Sequence, residues 1–251
     1  GVYARDISRV TGEREIEAMA ATIVHRGPDD QGVFVDRNVG LGSRRLSIID
    51  VDGGHMPLHN EDGTCTIVHN GEVYNFPELR SASISAGHAF STNSDTETIV
   101  HLYEDYGIDC LKYLNGMFAF AIFDSRDRSL LLARDRLGIK PLYYADTGTH
   151  LVFGSEIKTV LAHPSVKRDL DPASIDEYLQ KRYIPGTRTI YRGINKLAPG
   201  HFLRHQDAKT TVEPYWSLSY EKTGPQDEEE AEQELSVRLR KAVEMQMISD
   251  V

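Results

Sequence analysis

The 251 residues, 40% of them hydrophobic, are enough for one large domain or for one domain with part of a second. A formal net charge of −10 disfavours nucleic-acid binding, because neutralising phosphates needs clustered Lys and Arg. No apolar run reaches the ~18 residues of a membrane span and no signal peptide is recognisable, while Cys65 and Cys110 lie far apart without a CxxC; the composition predicts a soluble, reducing, cytoplasmic protein with no disulfide framework or zinc knuckle.

The chain opens at Gly1-Val2-Tyr3 as if entering mid-strand, and a first helix fits Glu15 to Val24. Strand patterns follow at Gly32 to Asp36, Leu41 to Ile49 and Thr64 to His69, the later ones separated by turn residues at Asp52-Gly53-Gly54 and Asp62-Gly63. Asn75 and Pro77 open a helix to about Ala86, since proline is tolerated in a first turn. Ser94-Asp95-Thr96-Glu97 has the form of a capping box, with Ile99, Leu102, Tyr103 and Tyr106 as the apolar stripe behind it.

Phe118 to Phe123 and Ser129 to Ala133 read as buried strands joined by the polar turn 124–128, and Leu142 to Tyr144 with Leu151 to Phe153 makes a second hairpin. A short helix fits Ser155 to His163, and Asp171-Pro172 starts another to Arg182. Gly200 to His205 and Thr211 to Trp216 are two further strands, Glu221 to Gln226 is linker-like, and a last helix runs from Asp227 to Met247 behind a run of six acids. Many short strands with segregated helices predict an α+β fold in which sheet packs on sheet between helices. Both ends look cut, so the sequence is expected to be a piece of a longer protein.

Asn70-Gly71 offers a side-chain amide and an unhindered backbone N–H side by side, the two donors of an oxyanion hole. The same dipeptide is also a favoured hairpin turn, and in isolation that reading prevails. Arg45 before it, and Glu72 and Asp95 after it, supply one cation and two carboxylates, which suits a substrate bearing both a carboxylate and an ammonium. That context turns the balance towards an oxyanion site, and the set suggests glutamine.

The ordered motifs are extensive: His25-Arg26-Gly27-Pro28-Asp29, Arg45-Leu46-Ser47-Ile48-Ile49-Asp50, Asn70-Gly71-Glu72-Val73-Tyr74-Asn75, Ser94-Asp95-Thr96-Glu97, Gly116 to Ala121, Arg134 to Tyr144, Ala198-Pro199-Gly200-His201 and Ser249-Asp250-Val251. Together they resemble the glutaminase half of glutamine-hydrolysing asparagine synthetases, which are class II glutamine amidotransferases. The resemblance implies the four-layer αββα sandwich of N-terminal-nucleophile hydrolases over residues 1–216, a linker at 217–226, and the first helix of a synthetase domain at 227–251. It implies Asn70 and Gly71 as the catalytic oxyanion donors. Arg45, Leu46, Ser47, Ile48, Ile49, Asn70, Gly71, Glu72 and Asp95 are implied as the glutamine-binding set, with Arg45 on the α-carboxylate and Asp95 on the α-ammonium. An acid in a first helical turn is also favourable without any ligand, so Asp95 can serve both ends. Glu97 reads as a capping residue only.

The family nucleophile is an N-terminal cysteine whose thiol is assisted by its own free amine, and the alignment puts it a few residues before Gly1. Neither Cys65 nor Cys110 has such an amine, and both read as buried thiols. This stretch is expected to need no cofactor; ATP and magnesium, with aspartate as acceptor, are expected of a synthetase domain beyond Val251, and a homodimer is a possibility the family raises. His25, His55 and His59 do not share a helix face, so no metal is assigned. The alternatives are a cysteine-less relic domain, as in β-lactam synthetase-like relatives, or a non-enzymatic glutamine-binding module. The Glu after Asn-Gly and the 171–201 extension favour the asparagine branch over those making glucosamine phosphate or purine precursors.

Overall fold

Alternating side chains in the strands bury one face of each sheet against the other and leave the opposite face for helices, and the chain solves this with four layers. A computed structural model describes residues 1–220, 224–225 and 227–250. The first sheet contains β1 (Val2–Ala4), β2 (Asp30–Asp36), β3 (Val39–Arg45), β8 (Tyr143–Asp146), β9 (His150–Gly154) and β10 (Ile194–Lys196), in the order β10-β8-β9-β1-β3-β2. The second contains β4 (Leu58–His59), β5 (Cys65–Val73), β6 (Gly116–Asp124), β7 (Ser129–Arg134), β11 (His201–Gln206) and β12 (Lys209–Pro214), in the order β12-β11-β7-β6-β5-β4. All pairings are antiparallel. This is the αββα sandwich of two antiparallel sheets between helices that the motifs predict.

Three apolar layers separate the four structural ones. Tyr3, Leu41, Ala121, Phe123, Leu132 and Phe153 fill the space between the sheets. Ile16 and Met19 of α1 (Glu13–Ala21) and Val160 of α4 (Ile157–Leu161) cover the outside of the first sheet with Val2 and Val152. Ile99, Val100 and Tyr103 of α3 (Asp95–Tyr106) cover the outside of the second with Ile67, Phe118 and Phe120, and α2 (Phe76–Ala86) packs beside α3. Within β6, Phe118, Phe120 and Ile122 point one way and Ala119, Ala121 and Phe123 the other, as a period of two requires.

Several sequence expectations shift. The first helix starts at Glu13 and ends at Ala21, and Val24–Arg26 forms a separate 3₁₀ turn. The strand expected to run to Ile49 stops at Arg45: its partner β2 begins at Asp30, just after Pro28, so the backbone beyond Arg45 has no strand to pair with. Residues 46–49 are therefore loop. Asn70-Gly71 is not a hairpin turn; it lies inside β5, opposite Ala119 and Phe118. Strands β4 and β10 were not foreseen, being two and three residues long. The last helix, α6 (Glu228–Met245), follows α5 (Pro172–Lys181), and Asp227 caps it by accepting from the amides of Glu229 and Glu230. No residue of α6 is buried, and Leu235, Leu239 and Val243 stay exposed along its apolar stripe. Most of the linker-like segment, residues 221–223 and 226, lies outside the described residues, as does Val251. No helix among the described residues is long and apolar enough to cross a membrane.

Glu156, at the N-terminus of α4, pins the Val24–Arg26 turn: it accepts from Arg26, pairs with His25 Nε2 at 2.7 Å and meets Lys158 Nζ at 3.1 Å. Burial pushes its carboxyl up, but the hydrogen bonds from Arg26, Lys158 and His25 outweigh that and hold it at about 2. Two predictions follow from this packing. Phe123→Ala, which empties a fully buried position between the sheets, should cost about 3–5 kcal/mol in a urea titration. Because Glu156 is depressed in the folded state from an ordinary 4.5, its stabilising effect should be complete above about pH 4.5 and lost as the pH falls towards 2. The difference in urea midpoint between the parent and Glu156→Gln should shrink over that window, and a pH-independent difference would remove the ion-pair explanation.

Candidate active site

Along β3 and β5 the side chains that face between the sheets change character. Val39 and Leu41 are followed on the same face of β3 by Ser43 and Arg45, and Val68 on β5 is followed by Asn70 and Glu72. Where the filling side chains turn polar the sheets enclose a cavity of about 500 Å³. Its wall is built from the ends of β3, β5 and β9, the middle of β6, one side of α1, the N-terminus of α3, and the loop after Arg45. Arg45, Leu46, Ile48, Ile49, Asn70, Gly71, Glu72 and Asp95 all line it. Ser47 does not; its amide donates to Asp29 Oδ2 at 2.9 Å and fixes the loop from behind.

Asn70 Nδ2 is buried and has no hydrogen-bond partner among the described residues. An unused amide donor on a cavity wall is the kind of group that awaits an acceptor. Beside it Gly71 has φ of +146°, and a Cβ there would lie 2.0 Å from the Met117 carbonyl oxygen, so no other residue fits. The strand thereby places a side-chain amide and a bare backbone position next to one another.

Arg45 is almost fully buried, and its guanidinium is turned onto the loop it precedes. It donates to the carbonyls of Ile49 at 2.9 Å, Asp50 at 2.6 Å and Val51 at 3.2 Å. Gly54 lies against it so closely that a Cβ would come within 2.6 Å of Nη2. The same loop is tied across the cavity mouth: Asp50 Oδ2 accepts from the Asn93 amide at 2.8 Å. At its far side Asp250 accepts from the Asp50 amide at 2.6 Å and donates its own amide to the Ile48 carbonyl at 3.0 Å.

Asp95 opens α3, where Ser94 accepts from the Thr96 amide as the N-cap. Its Oδ2 accepts from the Val73 amide at 2.8 Å, which locks the start of α3 onto the end of β5. Glu72 is raised above the ordinary carboxylate range, first by burial and then by the charge of Asp95, with Lys140 opposing. Two carboxylates stand beside one another here, and a cation would relieve their repulsion.

Glu97 differs from the expectation. It does not reach back to Ser94; it accepts from the amides and hydroxyls of Ser91 and Thr92 at 2.6–2.9 Å and so shapes the segment leading into α3. The Ser94 amide goes instead to Thr92 Oγ1 at 3.2 Å. Glu97 is buried and folds the loop onto the helix.

Sequence reasoning missed four contributors. Gly1 lines the cavity, and its nitrogen donates to the Phe153 carbonyl at 2.8 Å. Lys140 lines it from the corner that Arg134 and Asp135 build, where Arg134 donates to the carbonyls of Gly138, Lys140 and Leu197 and Asp135 accepts the amides of Leu137, Ile139 and Lys140. His69, held down by burial, bonds Thr96 Oγ1 at 3.0 Å and links β5 to α3. Thr96 lies on the wall as well. The motif stretches that hold Lys140 and Thr96 carried a signal. Cys65 and Cys110 are buried free thiols, both pushed up to about 12 by burial. His25, His55 and His59 are separate, bonded to Glu156, Asp30 and Thr66 respectively.

The chain is similar to known proteins over most of its length. The chain is 37% identical over 246 residues to asparagine synthetase [glutamine-hydrolyzing] 3 of Bacillus subtilis, covering 96% of this chain and 40% of that protein. It is 37% identical over 254 residues to asparagine synthetase [glutamine-hydrolyzing] 1 of the same organism, covering 100% of this chain and again 40% of the relative. The chain thus spans about two-fifths of the length of these curated relatives. In fold it is similar to the glutamine phosphoribosylpyrophosphate amidotransferase of B. subtilis, with a TM-score of 0.61 at 18% identity over 86% of this chain and 48% of that one. The glutamine amidotransferase domain family matches residues 1–216, and on that match the chain belongs to the class II glutamine amidotransferases.

Proposed function

We propose that the cavity binds glutamine and that its side-chain amide is hydrolysed there to glutamate and ammonia. The chain then serves as the glutaminase half of an asparagine synthetase-like enzyme, in which a further domain uses ATP and magnesium to amidate aspartate. The observation that carries this reading is the buried, unpartnered Asn70 amide beside Gly71 on the cavity wall. Attack on an amide carbon turns its oxygen into an oxyanion, and these two neighbours are the donors that would receive it.

The other roles follow from charge. The α-ammonium of glutamine would meet Asp95 and Glu72, whose mutual repulsion it relieves. The α-carboxylate would meet the Arg45 end, where the guanidinium also holds the loop through its carbonyl contacts. Leu46, Ile48 and Ile49 supply the apolar loop wall along the substrate chain. The nucleophile is assigned to a cysteine preceding Gly1. Gly1, a few residues after the expected position of that cysteine, lies on the cavity wall, which supports this assignment. The thiol's proton would pass to that cysteine's free amine, and Cys65 and Cys110 are too buried to substitute.

With that cysteine in place and its amine free, glutamate release should be measurable, and Asn70→Ala should lower kcat by about 10²–10³ while changing KM far less. An unchanged kcat would remove the oxyanion role. Calorimetric titration of glutamine into the same protein should show binding that Asp95→Asn abolishes; binding without any glutamate release would identify a relic domain.

A further inference from the structure

On the far side of α3 from the cavity, three separate segments bring two histidines and two glutamates together. Glu61 follows β4, His88 follows α2, and His101 and Glu104 share one face of α3 at a spacing of three. One ligand atom from each lies within 4.8 Å of all the others. His88 Nδ1 is 3.2 Å from Glu61 Oε1 and 3.8 Å from Glu104 Oε2. His101 Nδ1 is 3.3 Å from Glu61 Oε2 and 3.1 Å from Glu104 Oε2. Zinc with bonds of about 2.0–2.1 Å in a tetrahedron sets its donors about 3.3 Å apart, and the four contacts run from 3.1 to 3.8 Å, with Glu61 meeting the two rings through different oxygens.

The outward-facing nitrogens point the same way. His88 Nε2 meets Asp105 Oδ1 at 3.1 Å, and His101 Nε2 faces Glu97 Oε1 at 3.7 Å. Both rings therefore aim Nδ1 inward and Nε2 at a carboxylate, the orientation in which a carboxylate fixes the tautomer of a metal-bound histidine. His101 is fully buried, and its Nε2 makes no hydrogen bond. The ring centroids of His88 and His101 lie 4.7 Å apart. A single dication held between the two inner nitrogens would balance the charges of Glu61 and Glu104.

We propose that Glu61, His88, His101 and Glu104 form a structural zinc site. The mixed imidazole and carboxylate donors suit zinc better than calcium or magnesium, which take oxygen ligands. The donors come from the turn after β4, the end of α2 and α3, so the ion would clamp all three. Glu97 extends the clamp, since it also receives the amides of Ser91 and Thr92 ahead of Asp95.

Titrating zinc chloride into chelator-treated protein should show uptake of one zinc per chain, and cobalt(II) in its place should give the intense visible absorption of a tetrahedral site. His88→Gln and Glu61→Gln lie at the more exposed side of the cluster and should weaken zinc on the order of 100-fold; Asp105→Asn, which only orients His88, should weaken it about tenfold. Folding of each variant is checked by circular dichroism. No stoichiometric uptake by the folded parent protein would overturn the proposal and leave a histidine–carboxylate ion cluster. Uptake that neither His88→Gln nor Glu61→Gln affects would assign the ion to other histidines and equally overturn it.

Discussion

The space between the two sheets must be filled by whatever side chains alternation directs into it, and partway along β3 and β5 those side chains stop being apolar. Val39 and Leu41 give way to Ser43 and Arg45, and Val68 to Asn70 and Glu72. Polar groups cannot be packed against each other as hydrocarbon can, since a buried donor without an acceptor costs about 1–3 kcal/mol. The sheets keep their pairing but enclose a cavity of about 500 Å³ at that end. The site is thus the polar end of the same layer that holds the sheets together, and its walls inherit the rigidity of paired strands.

The loops over that cavity have no ladder of their own and are organised by charged side chains, Arg45 and Glu97 buried and Asp50 partly exposed. Arg45 takes the carbonyls of residues 49–51, Asp50 reaches Asn93, and Glu97 gathers the amides of Ser91 and Thr92. Each of these groups is paired through several hydrogen bonds, which is what makes burying a charge tolerable. The chain of contacts runs from the edge of β3, across the cavity mouth, to the start of α3, where Asp95 is fixed to the Val73 amide. A change in any one of them would be felt at Asp95 and at the loop wall together. On the other face of α3 the histidine–glutamate cluster grips the same helix, so α3 is held from both sides.

Much of the architecture was legible in the sequence because it rests on local periodicity. The hairpins 116–134 and 143–154 and the helices at 76–86 and 95–106 follow from period-two and period-3.6 patterns bounded by turn and capping residues. The terminal helix was also readable, although its apolar stripe remains exposed among the described residues. Arg45, Asn70, Gly71, Glu72 and Asp95 stood out as residue types suited to one substrate chemistry, and all five line one cavity.

Sequence by itself determined which residues carry donor, acid and cation, and which segments are strand or helix, because those properties belong to residues and their near neighbours. Tertiary structure decided the rest. Asn-Gly became a strand interior because β6 pairs across it, whereas residues 46–49 became loop because β2 offers no partner there. Arg45 turned inward to satisfy carbonyls that lack a ladder, and Glu97 left its capping position to bond a loop five and six residues earlier. Gly1, Lys140 and Thr96 reached the same wall, and Glu61 met His101 across α3, only through pairings between distant segments. Such pairings depend on which surfaces meet once the layers stack, and no window of the chain contains both partners.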